Sequence, residues 1–162
     1  MKKSGKARAH TNIALIKYWG KADENLIIPM NNSLSVTLER FYTETRVTFD
    51  DSLTEDQLIL NKEAVNAKES AKIQRYMDMI RKEADISTYA LIESDNFVPT
   101  AAGLASSASA YAALAGACNE ALDLNLSDKD LSRLARRGSG LSLIHISEPT
   151  RRLSRSRMPS SA

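Results

Sequence analysis

One run of small and hydroxyl-bearing residues has the composition of an anion site. Residues 99–110 read PTAAGLASSASA, with almost no side chain larger than a hydroxymethyl group. Small side chains let backbone amides approach a ligand, and a loop that leads into a helix adds unpaired N–H groups and the positive end of the helix dipole. The run therefore predicts a polyphosphate site. Gly103 would permit the turn, and the hydroxyls of Ser106 and Ser107 would reach phosphate oxygens or a bound Mg²⁺.

The same run has a second interpretation. Small residues also allow a helix to pack tightly against a sheet, and an alanine-rich helix alone indicates no ligand. The sequence contains neither the G-x-x-x-x-G-K-[ST] pattern of a P-loop nor the G-x-G-x-x-G pattern of a Rossmann turn. Spacing alone therefore leaves phosphate binding and helix packing both open.

Few other residues have reactive side chains. Cys118 is the one cysteine, which excludes an internal disulfide and fits a reducing cytoplasm. Its neighbours Ala117 and Asn119, on a predicted helix, indicate a buried thiol rather than a nucleophile. His10 is interpreted as a strand residue with its hydrogen bonds satisfied, and His145 is given no role. One cysteine and two distant histidines predict no structural metal site.

Length and composition predict one soluble domain. The chain has 162 residues, of which 43% are hydrophobic and 26% are charged. The net charge is +2 at pH 7, but residues 141–162 contribute +3, which leaves −1 for residues 1–140. A near-neutral body predicts no nucleic-acid partner. No apolar run approaches the ~20 residues that span a membrane, so we expect no membrane partner and a cytoplasmic location.

Hydrophobic patterning predicts the strands and helices. Strands are predicted over 7–16, 34–38, 45–49, 57–60 and 89–92, with turns at 18–21, 31–33 and 50–51. A helix is predicted around residues 73–84, because five apolar residues at helical spacing would form one stripe on it: Ile73, Tyr76, Met77, Ile80 and Ala84.

Two further helices follow the small-residue run. One begins at Ser106 or Ser107 and continues to about Leu122. The last is capped by Ser127, with Asp130 at the capping-box position and Leu131 and Leu134 facing inward. The order of strands, helix, strand, helix and helix indicates an α+β fold.

Three separated motifs resemble one family. The string PTAAGLASSA is similar to the second motif of the small-molecule kinases that include galactokinase, homoserine kinase and mevalonate kinase, the GHMP kinase superfamily. Within it, NIALIKYWGK at 12–21, NNSLSVTL at 31–38 and ESDNFVPTAAGLASSAS at 93–109 most resemble diphosphomevalonate decarboxylase of the bacterial, Gram-positive type. The resemblance covers residues 1–140 and implies a truncated GHMP-kinase-type N-terminal domain, in which a ribosomal-protein-like sheet and helices form two layers.

The resemblance also implies an activity. The family enzyme uses ATP and Mg²⁺ to convert (R)-5-diphosphomevalonate to isopentenyl diphosphate, CO₂, ADP and phosphate, a step of the mevalonate pathway of isoprenoid biosynthesis. The full-length form is expected to be a homodimer. The alternatives are a relative that acts as a kinase or decarboxylase on mevalonate or phosphomevalonate, and a nucleotide-binding fragment without catalysis.

The resemblance assigns roles to individual residues. The substrate-binding residues are Lys17, Tyr18, Trp19, Gly20, Lys21, Lys72, Ser139 and Gly140. The ATP-binding residues are Ser94, Asn96, Ala101, Ala102, Gly103, Leu104, Ala105, Ser106 and Ser107, with Ser106 nearest the Mg²⁺. Alternatively, Lys21 and Lys72 are solvated surface lysines, and Ser94 and Asn96 are turn formers.

The chain departs from the family pattern after Gly140. Ser139 and Gly140 begin the family's Ser-Gly-Ser-Ala-x-Arg loop, but the sequence continues LSLI. The family's catalytic aspartate belongs to a C-terminal half that this sequence lacks, so we expect the chain alone to be inactive. Residues 141–162 are interpreted as a disordered Ser/Arg-rich tail or as non-native, because LSLIHISEPTR resembles a reading frame through a transposase adaptor used for sequencing libraries.

Overall fold

The computed structural model describes residues 2–16, 21–23, 28–29, 34–65, 67–98, 106–139 and 156–157. Its strands are β1 (Lys2–Ile16), β2 (Lys21–Asp23), β3 (Ile28–Pro29), β4 (Leu34–Asp50), β5 (Gln57–Leu60), β6 (Glu63–Ala64), β7 (Ala90–Phe97) and β8 (Ser156–Arg157). Its helices are α1 (Ala67–Ala84), α2 (Ser106–Ala121) and α3 (Asp128–Gly138). These elements form the predicted α+β fold.

The main sheet sets the geometry of the domain. Its strand order is β1-β4-β7-β5-β6, with β8 paired to β4, while β2 and β3 form a separate pair. Because β4 is antiparallel to both β1 and β7, and β5 is parallel to β7, the strands β1, β5 and β7 run in one direction. We call the end where β5 and β7 begin, at Gln57 and Ala90, the amino end of the sheet. The end where they finish, at Leu60 and Phe97, is the carboxyl end.

The prediction of two separate strands at 34–38 and 45–49 was wrong, because both belong to β4. The pairing with β1 shifts register where His10 faces Tyr42 but Thr11 faces Leu38. The residues between them on β4 form a bulge, which lets a strand bend without ending. The Thr11 hydroxyl donates to the Phe41 carbonyl at 3.2 Å, and Nδ1 of His10 lies 3.3 Å from the Leu38 carbonyl. His10 is therefore a hydrogen-bonded strand residue, as predicted.

Strand β7 extends five residues beyond the predicted segment. Its inward positions include Ala90, Ile92 and Ser94, an alternation that continues the strand past the predicted end at Ile92. Ser94 and Asn96 both lie within β7, opposite Thr45 and Thr43 of β4. Their interpretation as turn formers was therefore wrong.

Helix α2 is packed tightly against the sheet. A Cβ atom at Gly5 of β1 would overlap the Ala117 carbonyl oxygen and the Ala121 amide nitrogen, so strand and helix approach backbone to backbone. The buried residues of α2 are Ala108, Ser109, Ala112, Ala113, Leu114, Ala115, Gly116, Ala117, Cys118 and Ala121. The packing interpretation of the small-residue run is thus confirmed for its last residues, from Ala108 onward.

The other two helices bury the faces that their spacing predicted. Tyr76, Met77 and Ile80 of α1 are buried in the core, and Leu131 and Leu134 of α3 join them. The Ser127 hydroxyl accepts a hydrogen bond from the Asp130 amide at 3.2 Å and so caps α3.

Cys118 is fully buried in this core. Burial disfavours the charged thiolate and raises the pKa of the Cys118 thiol, which confirms the predicted inert side chain. Among the described helices, none combines the length and apolar character needed to span a membrane.

Candidate functional site

Helix α1 begins at the carboxyl end of the sheet. Near its last turn, the Arg81 guanidinium donates to the Asp56 carboxylate with two hydrogen bonds of 2.8 Å. Asp56 precedes β5 and accepts from the amide of Ala90 at 2.9 Å, so this contact lies at the amino end. The first turns of α1 therefore point toward the carboxyl end.

Helix α2 runs in the same direction. The Ser109 hydroxyl, near the start of α2, lies 2.8 Å from the Thr43 hydroxyl of β4. Near the end of α2, the Glu120 carboxylate accepts from the Lys6 amide at 2.7 Å. Because Lys6 pairs with Arg46, the helix advances along β4 from the carboxyl end toward the amino end. The N-termini of α1 and α2, each with a partial positive charge, therefore both lie at the carboxyl end.

A contact between two tyrosines relates Lys72 to Ser107. The rings of Tyr76 in α1 and Tyr111 in α2 pack edge to face with centroids 5.0 Å apart. Lys72 and Ser107 each precede their tyrosine by four residues, about one helical turn. Since the two helices are parallel, both residues lie on the same side of this contact, toward the carboxyl end. Both side chains are exposed.

The C-terminus of α3 reaches the same region. The Tyr76 hydroxyl donates to the Leu134 carbonyl at 3.1 Å. A Cβ at Gly138 would overlap the Tyr111 ring, so the α3 backbone lies directly against that ring. Ser139 follows immediately and donates its amide to the Ala135 carbonyl at 3.2 Å. Ser139 thus follows the end of α3 that packs against Tyr111.

A network of neutral polar groups joins the sheet to the start of α2. The Thr43 hydroxyl donates to Oδ1 of Asn96 at 3.0 Å and lies 2.8 Å from the Ser109 hydroxyl. Ser109 also donates to the Ser106 carbonyl at 3.0 Å. The backbone N–H of Asn96 donates to Oδ1 of Asn61, which follows β5, at 2.8 Å. Thr43 and Ser109 are buried, so their contact is shielded from water, whereas the hydrogen bond between Asn96 and Asn61 is exposed.

The structure brings together part of the predicted site. Lys72 near the start of α1, Asn96 near the end of β7, and Ser106 and Ser107 at the start of α2 lie toward the carboxyl end, and Ser139 follows the end of α3 that packs against Tyr111. Ser94 is set deeper, with its hydroxyl 2.9 Å from that of Thr45 and 8% of its surface exposed.

The remaining predicted residues are described in part or not at all. Lys21 is the first residue of β2 and not the last residue of a turn, and its side chain is not among those that the structure describes. Outside the described residues lie Lys17, Tyr18, Trp19, Gly20, Ala101, Ala102, Gly103, Leu104, Ala105 and Gly140. Most of residues 141–162 also lie outside them, and the nature of that segment stays a prediction.

The sequence analysis did not identify Thr43, Asn61 or Ser109. The signal for Thr43 was available, because hydroxyl residues at 43 and 45 alternate with Tyr42, Glu44 and Arg46 on a strand whose inner face is otherwise apolar. A buried hydroxyl requires a partner, which predicts a polar contact across the helix–sheet interface.

The amino end carries a different polar group, which the sequence analysis also missed. The side chains of Arg81 and Asp56 are 9% and 3% exposed, and Asp78 adds a 2.6 Å contact to the same guanidinium. Burial alone would lower the pKa of Arg81, but the hydrogen bonds and charges of Asp56 and Asp78 outweigh it and raise the pKa. We call Asp56, Asp78 and Arg81 the ion-pair cluster. Within it, Arg81 and Asp56 are buried and satisfy each other's charge, whereas the Asp78 side chain is 68% exposed.

The carboxyl end is suited to an anion. Two helix N-termini, a lysine and several hydroxyl groups meet there, an arrangement typical of domains that bind phosphate groups. Within the described ranges, no group of three or more His, Cys, Asp or Glu side chains could hold a metal ion.

Comparison with known proteins defines the family. The family model described as "Diphosphomevalonate decarboxylase-like N-terminal domain" matches residues 9–143, and the chain belongs to this family. Its structure is similar to that of mevalonate diphosphate decarboxylase from Staphylococcus aureus, with a TM-score of 0.84 and 76% identity over 88% of this chain and 43% of the other. It is also similar to "MDDEF in complex with MVAPP, AMPPCP and Magnesium", with a TM-score of 0.82 and 65% identity over 88% of this chain and 43% of the other.

A curated relative shows how much of the family's length this chain spans. Diphosphomevalonate decarboxylase from Ganoderma lucidum is 43% identical over 148 residues, which are 83% of this chain and 37% of the relative. The chain therefore spans about two fifths of the length of these proteins.

Proposed function

We propose that the carboxyl end of the sheet binds Mg²⁺-ATP and (R)-5-diphosphomevalonate for ATP-dependent decarboxylation. In this reaction the γ-phosphoryl group passes from ATP to the tertiary 3-hydroxyl and ADP is released, and the loss of phosphate and CO₂ from the phosphorylated intermediate then gives isopentenyl diphosphate. The observation that carries the proposal is that Lys72, Asn96, Ser106 and Ser107 lie toward one end of the sheet, where the N-termini of α1 and α2 also lie. It is supported by a neighbouring structure that holds MVAPP, AMPPCP and magnesium.

The ATP phosphates would lie on the N-terminus of α2. Amides of residues 101–107 would donate to phosphate oxygens, and the Ser106 hydroxyl would reach the metal bound to them. Asn96 and Ser94 would contribute on the nucleotide side. Among the described residues, no carboxylate cluster could hold a metal here, so Mg²⁺ would arrive with the phosphates.

The substrate diphosphate would lie toward the lysines. Lys72 is exposed on the side of α1 that faces this end, and an ammonium group is a compact partner for a diphosphate. Residues 17–21, at the end of β1, and Ser139 with Gly140, at the end of α3, would complete the pocket. We further propose a cytoplasmic location, which the reduced Cys118 supports, and a homodimeric full-length form.

Binding of a fluorescent ATP analogue in the presence of Mg²⁺ tests the nucleotide part. Ser106→Ala is expected to weaken binding about ten- to hundredfold, since a hydrogen bond to a charged group contributes about 1.5–3 kcal/mol. Ser132→Ala, on the middle of α3, removes a hydroxyl away from this end and should leave binding unchanged. Equal affinities for the native chain and Ser106→Ala would contradict the assignment.

A substrate panel tests the reaction. Because the chain alone is expected to be inactive, the full-length form is incubated with Mg²⁺-ATP and with mevalonate, phosphomevalonate or diphosphomevalonate, and release of phosphate and CO₂ is measured. CO₂ from diphosphomevalonate alone would support the proposed substrate. CO₂ from the monophosphate would move the assignment to the alternative relative. Nucleotide binding without any phosphate release would indicate a binding fragment.

A further inference from the structure

We propose that Thr43 and Ser109 are positioning residues that fix the first turn of α2 on the sheet and thereby set the geometry of the nucleotide site. The effect on nucleotide binding rests on the proposed function, because the proposed nucleotide site lies at the start of that helix. Its structural part, the fixing of the helix start, stands on the contacts alone.

The hydrogen-bond geometry gives each hydroxyl a defined role. Each hydroxyl carries one proton. The Thr43 proton goes to Oδ1 of Asn96 at 3.0 Å, so the Ser109 proton is shared between the Thr43 hydroxyl at 2.8 Å and the Ser106 carbonyl at 3.0 Å. Ser109 thus connects the first residue of α2 to the sheet. Thr43 is the link on the sheet side, and both it and Ser109 are almost completely buried.

Burial makes this contact specific. A buried hydroxyl without a hydrogen-bond partner destabilises the folded state. The start of α2 therefore has one preferred position, in which both hydroxyl groups are hydrogen-bonded. Near Ser109 the buried residues of α2 include Ala108, Ala112 and Ala113, whose methyl groups form no directed hydrogen bond, while the end of α2 is held separately by the Lys6 amide on Glu120 at 2.7 Å. The Thr43–Ser109 contact is therefore the directed contact that sets where Ser106 lies relative to Asn96.

Two substitutions distinguish an effect that acts through the start of α2 from an effect that acts through Asn96. Thr43→Val keeps the shape of the side chain and removes the hydroxyl, which breaks the link and also deprives Asn96 of a donor. Ser109→Ala breaks the link but leaves the Thr43–Asn96 hydrogen bond intact. An effect that acts through the helix start is produced by both variants, whereas an effect that acts through Asn96 is produced by Thr43→Val alone.

Matched variants provide the controls. Thr43→Ser keeps the hydroxyl and should restore native behaviour, which a loss of packing alone would not do. Thr48→Val removes a hydroxyl from the other face of the same strand, where Thr48 lies 3.1 Å from the Ser4 hydroxyl and far from α2's first turn. It should behave as the native chain.

Amide hydrogen exchange and nucleotide binding are measured on the same full chain. Exchange at Ala110, whose helical acceptor is the Ser106 carbonyl, is expected to accelerate about three- to tenfold in Thr43→Val and Ser109→Ala. The affinity for a fluorescent ATP analogue with Mg²⁺ should fall by a similar factor in both. In the double variant it should fall no further than in the more affected single variant, because the two substitutions remove one link.

The outcomes distinguish the two claims. Native exchange at Ala110 in both single variants, or failure of Thr43→Ser to restore it, overturns the inference. Weaker nucleotide binding in Thr43→Val but not in Ser109→Ala also overturns it and assigns the effect to Asn96. If the native chain binds no nucleotide while Ala110 responds as expected, the proposed function fails and the fixing of the helix start stands.

Discussion

The two ends of the sheet satisfy their buried polar groups with different chemistry. At the amino end, Arg81 and Asp56 form a closed ion pair with two hydrogen bonds of 2.8 Å. At the carboxyl end, Thr43, Asn96 and Ser109 form a neutral network that ends on the first turn of a helix. Buried charges that pair with each other contribute to the stability of the fold, whereas two helix N-termini and Lys72 are complementary to a negative charge brought from outside. We therefore expect the amino end to contribute stability and propose that the carboxyl end binds the ligand.

The largest expected effect comes from breaking the ion-pair cluster. Arg81→Met should destabilise the fold by about 3–5 kcal/mol, because it leaves the Asp56 carboxylate buried without its charge partner. Denaturant unfolding measures the change. Asp78→Asn is the control, since the Asp78 side chain is 68% exposed and should contribute less than about 1 kcal/mol. A loss below 1 kcal/mol for Arg81→Met would contradict the structural role of the amino end.

The next effect tests the close approach of β1 and α2. Gly5→Ala should destabilise the fold by about 1–3 kcal/mol, because the added methyl group overlaps backbone atoms of Ala117 and Ala121 that cannot move independently. Ser4→Ala, at the neighbouring exposed position, should change stability by less than about 0.5 kcal/mol. Equal unfolding midpoints for Gly5→Ala and Ser4→Ala would show that the helix and strand are not packed as described.

A smaller effect concerns the cap of α3. Ser127→Ala removes the acceptor for the Asp130 amide and should destabilise the fold by about 1 kcal/mol, whereas Ser127→Asn retains a capping oxygen and should remain near native stability. Thermal unfolding of the two variants measures the difference. A loss of equal size in both would assign it to packing rather than to the cap.

The smallest effect is a pH dependence on the exposed face of β4. Lys6 and Arg8 hold the pKa of Glu44 below its ordinary value of 4.5. A carboxyl whose pKa is lower in the folded state stabilises the fold above its unfolded pKa, and this contribution is lost as the pH falls through the folded value. Glu44→Gln should therefore flatten the decline of stability below about pH 4.5. Added salt should reduce the difference between the native and variant curves, and a difference that persists unchanged at high salt would contradict an ion-pair origin.

The sequence predicted the elements whose periodicity is local. The stripe of Tyr76, Met77 and Ile80, the cap at Ser127 and the strand over Gln57–Leu60 all follow from neighbouring residues, and all are present in the structure. The continuity of β4 was not predictable in this way. It depends on a bulge opposite β1, which pairs residues about 30 positions apart.

The candidate site was predictable only through its motifs. The small residues and hydroxyls before α2 indicated an anion site, and the resemblance named Lys72, Asn96 and Ser139 from distant parts of the chain. Their convergence depends on the parallel directions of α1 and α2, which tertiary contacts such as Arg81 to Asp56 decide. Thr43 and Ser109 were missed because a hydroxyl on a strand and a serine in a helix acquire meaning only when the two elements pack together.

Amide chemical shifts recorded during a titration with Mg²⁺-ATP test the central claim most directly. The account predicts that shifts change at Asn96, at Ser106 and Ser107 and near Lys72, while the amides of Asp56 and Ala90 at the amino end stay constant. No change at the carboxyl end at millimolar nucleotide, or changes centred on the ion-pair cluster, would contradict it.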